Sequence, residues 1–167
     1  MRMMIAAVIL AASMISLNTA ISAAEIVKVD NYNISINFSD LQVELLPLNN
    51  YMVGELNITP VEFSSATVNG SIAIGESLVQ EPHSILVSNC KRVLELILKQ
   101  SNFNVDVTPY EDGFIGTGED LATGSTTYAI LKPDDVEFGR ASRLLIVMAA
   151  SENEEMSKSI ISSATPA

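Results

Sequence analysis

Five consecutive residues, Leu144-Leu145-Ile146-Val147-Met148, restrict the folds open to this chain more than any other stretch. Successive side chains of a strand point to opposite faces of its sheet, so an unbroken apolar run is buried on both sides. Arg143 to Ala149 is therefore predicted to be a central strand with a layer of structure against each face. Flanking strands must exist, and the chain supplies them. In Tyr32-Asn33-Ile34-Ser35-Ile36-Asn37-Phe38-Ser39 apolar and polar residues alternate strictly, which puts Tyr32, Ile34, Ile36 and Phe38 on one buried face. Residues 25–31 read as a lead-in to that strand. Leu41 to Leu46 is a second short strand, broken by Pro47-Leu48-Asn49-Asn50, and extended character resumes from Tyr51 to Thr59. Val61 to Val68 and Ser71 to Val79 meet across Asn69-Gly70, a dipeptide suited to a type I′ hairpin because both central positions require positive φ.

The apolar period then changes to 3.6. From Ile85 to Gln100, Leu86, Cys90, Val93, Leu94, Ile97 and Leu98 fall on one helical face, with Ser88, Lys91, Arg92, Glu95 and Lys99 opposite. Ser84 is the expected N-cap, and Glu95 and Lys99 form an i,i+4 pair. Strands return at Asn104–Thr108, extending to Tyr110, and at Thr126–Leu131. Glu111-Asp112-Gly113 and Lys132-Pro133-Asp134-Asp135 supply the turns. Ser151 and Glu154 have capping-box spacing ahead of a last helix. Glu152, Glu154 and Glu155 sit at its positive end, and Met156, Ile160 and Ile161 form its apolar stripe. Strands, helix, strands, helix, with hairpin signals between neighbours, predict an α+β fold: a mainly antiparallel twisted sheet with two main helices packed on it.

The first 24 residues read as a separate unit. Arg2 is a short positive region, Ile5 to Leu17 carries no charge, and Ser22-Ala23-Ala24 puts small residues where a signal peptidase needs them. Thirteen residues are too few to cross a hydrocarbon core of about 30 Å as a helix. We therefore read 1–24 as a signal peptide cleaved near Ala24 and 25–167 as one secreted or envelope-associated domain with a core at about 31–163. No second apolar run approaches spanning length, so no transmembrane segment is expected in the mature chain. Removal of Arg2 with the leader shifts the formal charge from −11 to −12. Such a surface repels phosphate backbones, so no nucleic-acid partner is expected. One cysteine, Cys90, closes no internal disulfide, and its helical position predicts a buried thiol.

An Asn31-Tyr32-Asn33-Ile34-Ser35-Ile36 opening, a strand meander and a helix precede the turn and strand Asp112-Gly113-Phe114-Ile115-Gly116-Thr117-Gly118. A strand with Tyr128, the run Leu144–Ser151 and an acidic final helix complete the order. This pattern resembles a family of small secreted archaeal proteins of uncharacterised function. More distantly it resembles the PsbP-like α/β/α sandwich of the photosystem oxygen-evolving-complex protein. The resemblance spans roughly 31–163 and rests on short, glycine-based motifs. It implies that fold, whose members include photosynthetic assembly factors and a nuclear-transport regulator that act by binding. It carries over no catalytic residues, and fold alone transfers no function.

Chemistry-bearing residues are few. The segment Asp112 to Asp120 has glycines, but no lysine follows at phosphate-loop spacing and its flanks are acidic. Asp112, Glu119 and Asp120 are a weak Ca²⁺ candidate, since that ion takes carboxylate oxygens, though the alternating ligands of an EF-hand loop are missing. The blander reading is a turn and strand whose glycines allow close packing. Asp134, Asp135 and Glu137 read as a solvated acidic turn. His83 alone cannot build a zinc site, and pairing it with Cys90 as a nucleophile requires the helix to be absent. Four sequons, at Asn33, Asn37, Asn57 and Asn69, are candidate glycosylation sites, with Asn69 expected at a hairpin tip. No cofactor is implied. The expected function is a non-enzymatic binding or envelope-associated domain that contacts protein or carbohydrate outside the cell. A carboxylate-based extracellular hydrolase is the alternative, and a structural surface component is the third reading.

Overall fold

The computed structural model describes residues 24–100, 103–120, 124–135 and 140–167. The predicted leader up to residue 23 and Glu137 lie outside them. Along the chain run β1 (Glu25–Val29), β2 (Tyr32–Ile36), β3 (Glu44–Pro47), β4 (Tyr51–Val53), β5 (Leu56–Ser64) and β6 (Val68–Pro82). After α1 (His83–Lys99) come β7 (Phe103–Tyr110), β8 (Gly113–Asp120), β9 (Thr126–Pro133), β10 (Arg140–Ser151), α2 (Glu154–Ser163) and β11 (Thr165–Pro166). The large sheet has the order β3-β5-β6-β10-β9-β8-β7, with β4 also on the free side of β5. Every pairing is antiparallel. The architecture is α+β, as the sequence predicts.

β10 is the central strand, and its alternating residues feed two cores. Leu144 and Ile146 face α1 and join Ile58, Ala73, Ala129, Leu131 and the Leu86/Cys90/Leu94/Ile97/Leu98 stripe of the helix. Leu145, Val147 and Ala149 face the other way, onto α2 and a small sheet ordered β1-β2-β11. There Ile34, Ile36 and Phe38 meet Val61, Ile72, Ile130, Ile160 and Ile161. The result is three layers: α1, the large sheet, and the small sheet with α2.

Several expectations shift. Residues 25–31 are more than a lead-in, because β1 pairs with β2 through the two-residue turn Asp30-Asn31, burying Val27 and Val29. The second strand begins only at Glu44 and includes Pro47. Tyr51–Thr59 is not one strand: Gly54-Glu55 folds β4 back on β5, pairing Val53 with Leu56. The largest change concerns Asn69-Gly70, which lies inside β6 opposite Ser64 and Phe63. The hairpin turn falls on Ser65-Ala66-Thr67, where the Ser65 hydroxyl accepts hydrogen bonds from the Thr67 and Val68 amides at 3.2 and 3.0 Å. Gly70 serves packing, since a Cβ there would lie 2.0 Å from the Met148 carbonyl oxygen and 2.4 Å from the Phe63 ring. Phe63 in turn meets Phe38 edge-on, with centroids 5.1 Å apart.

Both predicted helix caps also move. α1 starts at His83 behind Pro82, with no side-chain cap, so Ser84 is inside the helix. In α2 the cap is Asn153, whose side-chain oxygen accepts from the Met156 amide at 3.1 Å. Ser151 ends β10 and bonds Ser157 at 2.9 Å instead. β11 has no counterpart in the sequence pattern. It is held by backbone pairing with β2, and the Ala167 amide donates to the Asn33 carbonyl at 2.9 Å.

Candidate functional site

α1 links β6 to β7 and packs mainly on β8, β7 and β9. A Cβ on Gly116 would stand 2.8 Å from Leu98 Cδ1 and 3.2 Å from Leu94 Cδ2, so this glycine lets the helix down onto the strand. The opposite flank of the helix stands beside the β4–β5 hairpin, and the gap between them is a groove of about 300 Å³. Val53, Glu55 and Leu56 form the hairpin wall, and Asn89, Arg92, Val93 and Leu96 the helix wall, over Leu86, Ser77 and Leu144. Helical spacing builds the helix wall: Asn89, Arg92, Val93 and Leu96 recur at i, i+3, i+4 and i+7. Asn89, Arg92 and Leu96 are exposed, the leucine at 45%. The groove is thus apolar within and carries one cation and one anion at its walls. None of the ion pairs among the described residues involves Arg92 or Glu55.

The weak cation candidate does not assemble. Asp112 lies in the β7–β8 turn and Glu119 near the far end of β8, about 23 Å away at strand spacing. One ion reaches its ligands at roughly 2.3–2.6 Å. The side chain of Asp120 is outside the described residues. Glu119 instead shares a polar cleft with Asn104, Asp106 and Thr117, and Asp106 is a neighbour the sequence motif did not include. No group of three or more potential metal ligands occurs among the described residues.

At Asp134 and Asp135 the acidic turn after β9 is also not a solvated loop. Asp134 is 1% exposed at its side chain and holds Arg143 Nε at 2.6 Å. Asp135 accepts from the Ser142 and Arg143 amides at 3.1 and 2.9 Å and from the Ser142 hydroxyl at 2.9 Å. These bonds satisfy the amides of the returning strand, which explains why two adjacent carboxylates are tied down. The Arg143 guanidinium lies 4.1 Å from the centroid of the Tyr32 ring, and the Tyr32 hydroxyl donates to Glu76. Burial raises the Asp134 pKa above the usual carboxylate range, and Arg143 offsets part of that shift. This network joins the small sheet to the large one. Its buried carboxylate is already engaged, which makes it a structural clasp.

Cys90 is fully buried on the inner face of α1, and burial with the nearby charge of Asp112 pushes its thiol up to about 12. The side chain of His83 lies outside the described residues, but its backbone is two helical turns, roughly 10 Å, from Cys90. A thiol reagent should therefore label the folded protein at pH 8 far more slowly than the urea-unfolded chain. Equal rates would remove Cys90 from the core.

Of the sequons, Asn33 and Asn69 are exposed, whereas Asn37 and Asn57 are half-buried. Asn69 is beside the β5–β6 turn, not at its tip, and the Asn37 side chain accepts from the Ser39 amide at 2.8 Å.

No family model matches this chain, and neither curated proteins nor solved structures show a match. The reading of the site therefore rests on its own geometry. The groove is invisible in the sequence because its walls are some 35 residues apart and its floor includes Leu144. The one available signal was Leu96, an apolar residue off the buried helical stripe.

Proposed function

We propose that this chain is an exported, non-enzymatic binding domain that receives an apolar group in the groove between α1 and the β4–β5 hairpin. The observation that carries the reading is the groove itself, whose size is at the lower end of small-molecule sites and whose lining is mostly aliphatic. Leu96 supports it, because a leucine left nearly half exposed beside a cavity gains by being covered. An apolar lining suits an aliphatic chain or an apolar protein side chain better than a sugar, whose hydroxyls would lose their water. The leader-like residues 1–24 support export, and no helix among the described residues is long and apolar enough to cross a membrane.

Titration with an apolar fluorophore tests the binding reading. Emission should rise saturably with the purified domain, and Leu96→Glu should abolish the rise without moving the urea midpoint. A response unchanged by that variant would reject the groove. Turnover of a glycoside or ester, lost on changing an acidic pair, would replace binding with hydrolysis. Export has its own measurement: mass spectrometry of the native protein should find Glu25 at the N-terminus, and an intact Met1 would refute cleavage.

A further inference from the structure

The groove's two walls carry opposite charges, and the balance between them defines a class of ligand. Arg92 projects from the helix wall with Asn89 one turn away, while Glu55 is on the hairpin wall. α1 is locally basic in an acidic molecule, carrying Lys91, Arg92 and Lys99 against Glu95 alone, where the whole chain has a formal charge of −11; of these residues Arg92 lines the groove. The overall field repels anions, so any preference for an anion must come from these local groups. Arg92 can offer a carboxylate two parallel N–H donors, and Asn89 adds an amide donor. Val53, Leu56, Leu86, Val93, Leu96 and Leu144 meanwhile present only aliphatic surface to the rest of the ligand.

We propose that the groove binds an aliphatic carboxylate, its hydrocarbon chain between helix and hairpin and its head group at Arg92 and Asn89. This rests on the groove being the binding site, and the test separates the two statements. Decanoate, decanol and decylamine, each kept below its aggregation concentration, are titrated into ¹⁵N-labelled protein. Decanoate should shift the amides of Val53, Val93 and Leu96 saturably, and decanol should bind about tenfold more weakly, as loss of one charge-assisted contact implies. Shortening decanoate to octanoate removes two methylenes and should weaken binding by roughly fifteenfold, since each buried methylene is worth about fourfold. Arg92→Gln, a surface change that leaves the urea midpoint in place, should reduce decanoate to the affinity of decanol, and Arg92→Lys should restore part of the difference. Equal binding of all three probes in the groove would keep the site and overturn the carboxylate. Tighter binding of decylamine would assign the head group to Glu55 and overturn it as well. Failure of all three probes, or shifts confined elsewhere, would overturn both the ligand and the groove.

Discussion

Gly70→Ala should destabilise the domain by more than about 3 kcal/mol, above the ordinary cost of overpacking a core. The added methyl would sit 2.0 Å from the Met148 carbonyl oxygen and 2.4 Å from Phe63 Cζ. Backbone cannot retreat there, because Met148 is in the central strand and its partner Ser71 adjoins Gly70. The phenyl cannot retreat either, since Phe63 is fully buried against Phe38. Gly54→Ala is the control. Nothing lies within 4 Å of its would-be Cβ, so only the positive φ of 61° is penalised, by about 1–2 kcal/mol. A small domain holds about 5–15 kcal/mol in total, so urea denaturation resolves the difference readily. A loss under about 1 kcal/mol for Gly70→Ala would mean that β6 pairs in another register, with Asn69-Gly70 back in a turn.

Leu94→Ala should cost about 2–5 kcal/mol, the usual range for truncating a buried leucine. Leu94 is fully buried, in the α1-side core with Leu98 and Val107, and its Cδ2 stands over Gly116. The glycine beneath it offers no side chain to fill the space, so the cavity would persist. Lys91→Ala, on the exposed face of the same helix, should cost less than about 0.5 kcal/mol. Denaturation midpoints of the two variants decide it. Equal shifts, or a larger one for Lys91→Ala, would place the buried face of α1 elsewhere and reopen the burial of Cys90.

The parts of this fold that the sequence makes legible are those that bury side chains with a clean period. The alternation from Tyr32 reappears as β2, which ends at Ile36 with Phe38 buried just beyond it, the α1 stripe reappears, and Leu144–Met148 is the central strand covered on both faces. Backbone-driven features leave weaker traces. β11 exposes both of its side chains and exists through main-chain bonds, so no hydrophobic pattern could mark it. Asn69-Gly70 misleads because glycine answers two needs, positive φ and missing volume, and the letters do not say which. Asp134 and Asp135 mislead for a related reason: acidic residues after a proline look solvated until Arg143 and the amides of Ser142 and Arg143 come round to meet them. The groove is less legible still, since its walls and floor converge only when α1 lies across the sheet.

The position of β10 also governs how the domain can assemble. β3 to β6 form one meander and β7 to β9 another, and the two are joined through β10, which pairs with β6 on one side and β9 on the other. Until that strand is inserted, β6 and β9 each present an unpaired edge, and neither core has its middle. Such edges are templates for pairing with other chains. Closure must also bring segments 75 residues apart into register, as the match of Ile72 with Val147 requires, and long-range pairings of this kind fold slowly. Residues 140–151 therefore tie the two meanders into one sheet, and any form of the chain in which they are undocked leaves two strand edges open to other chains.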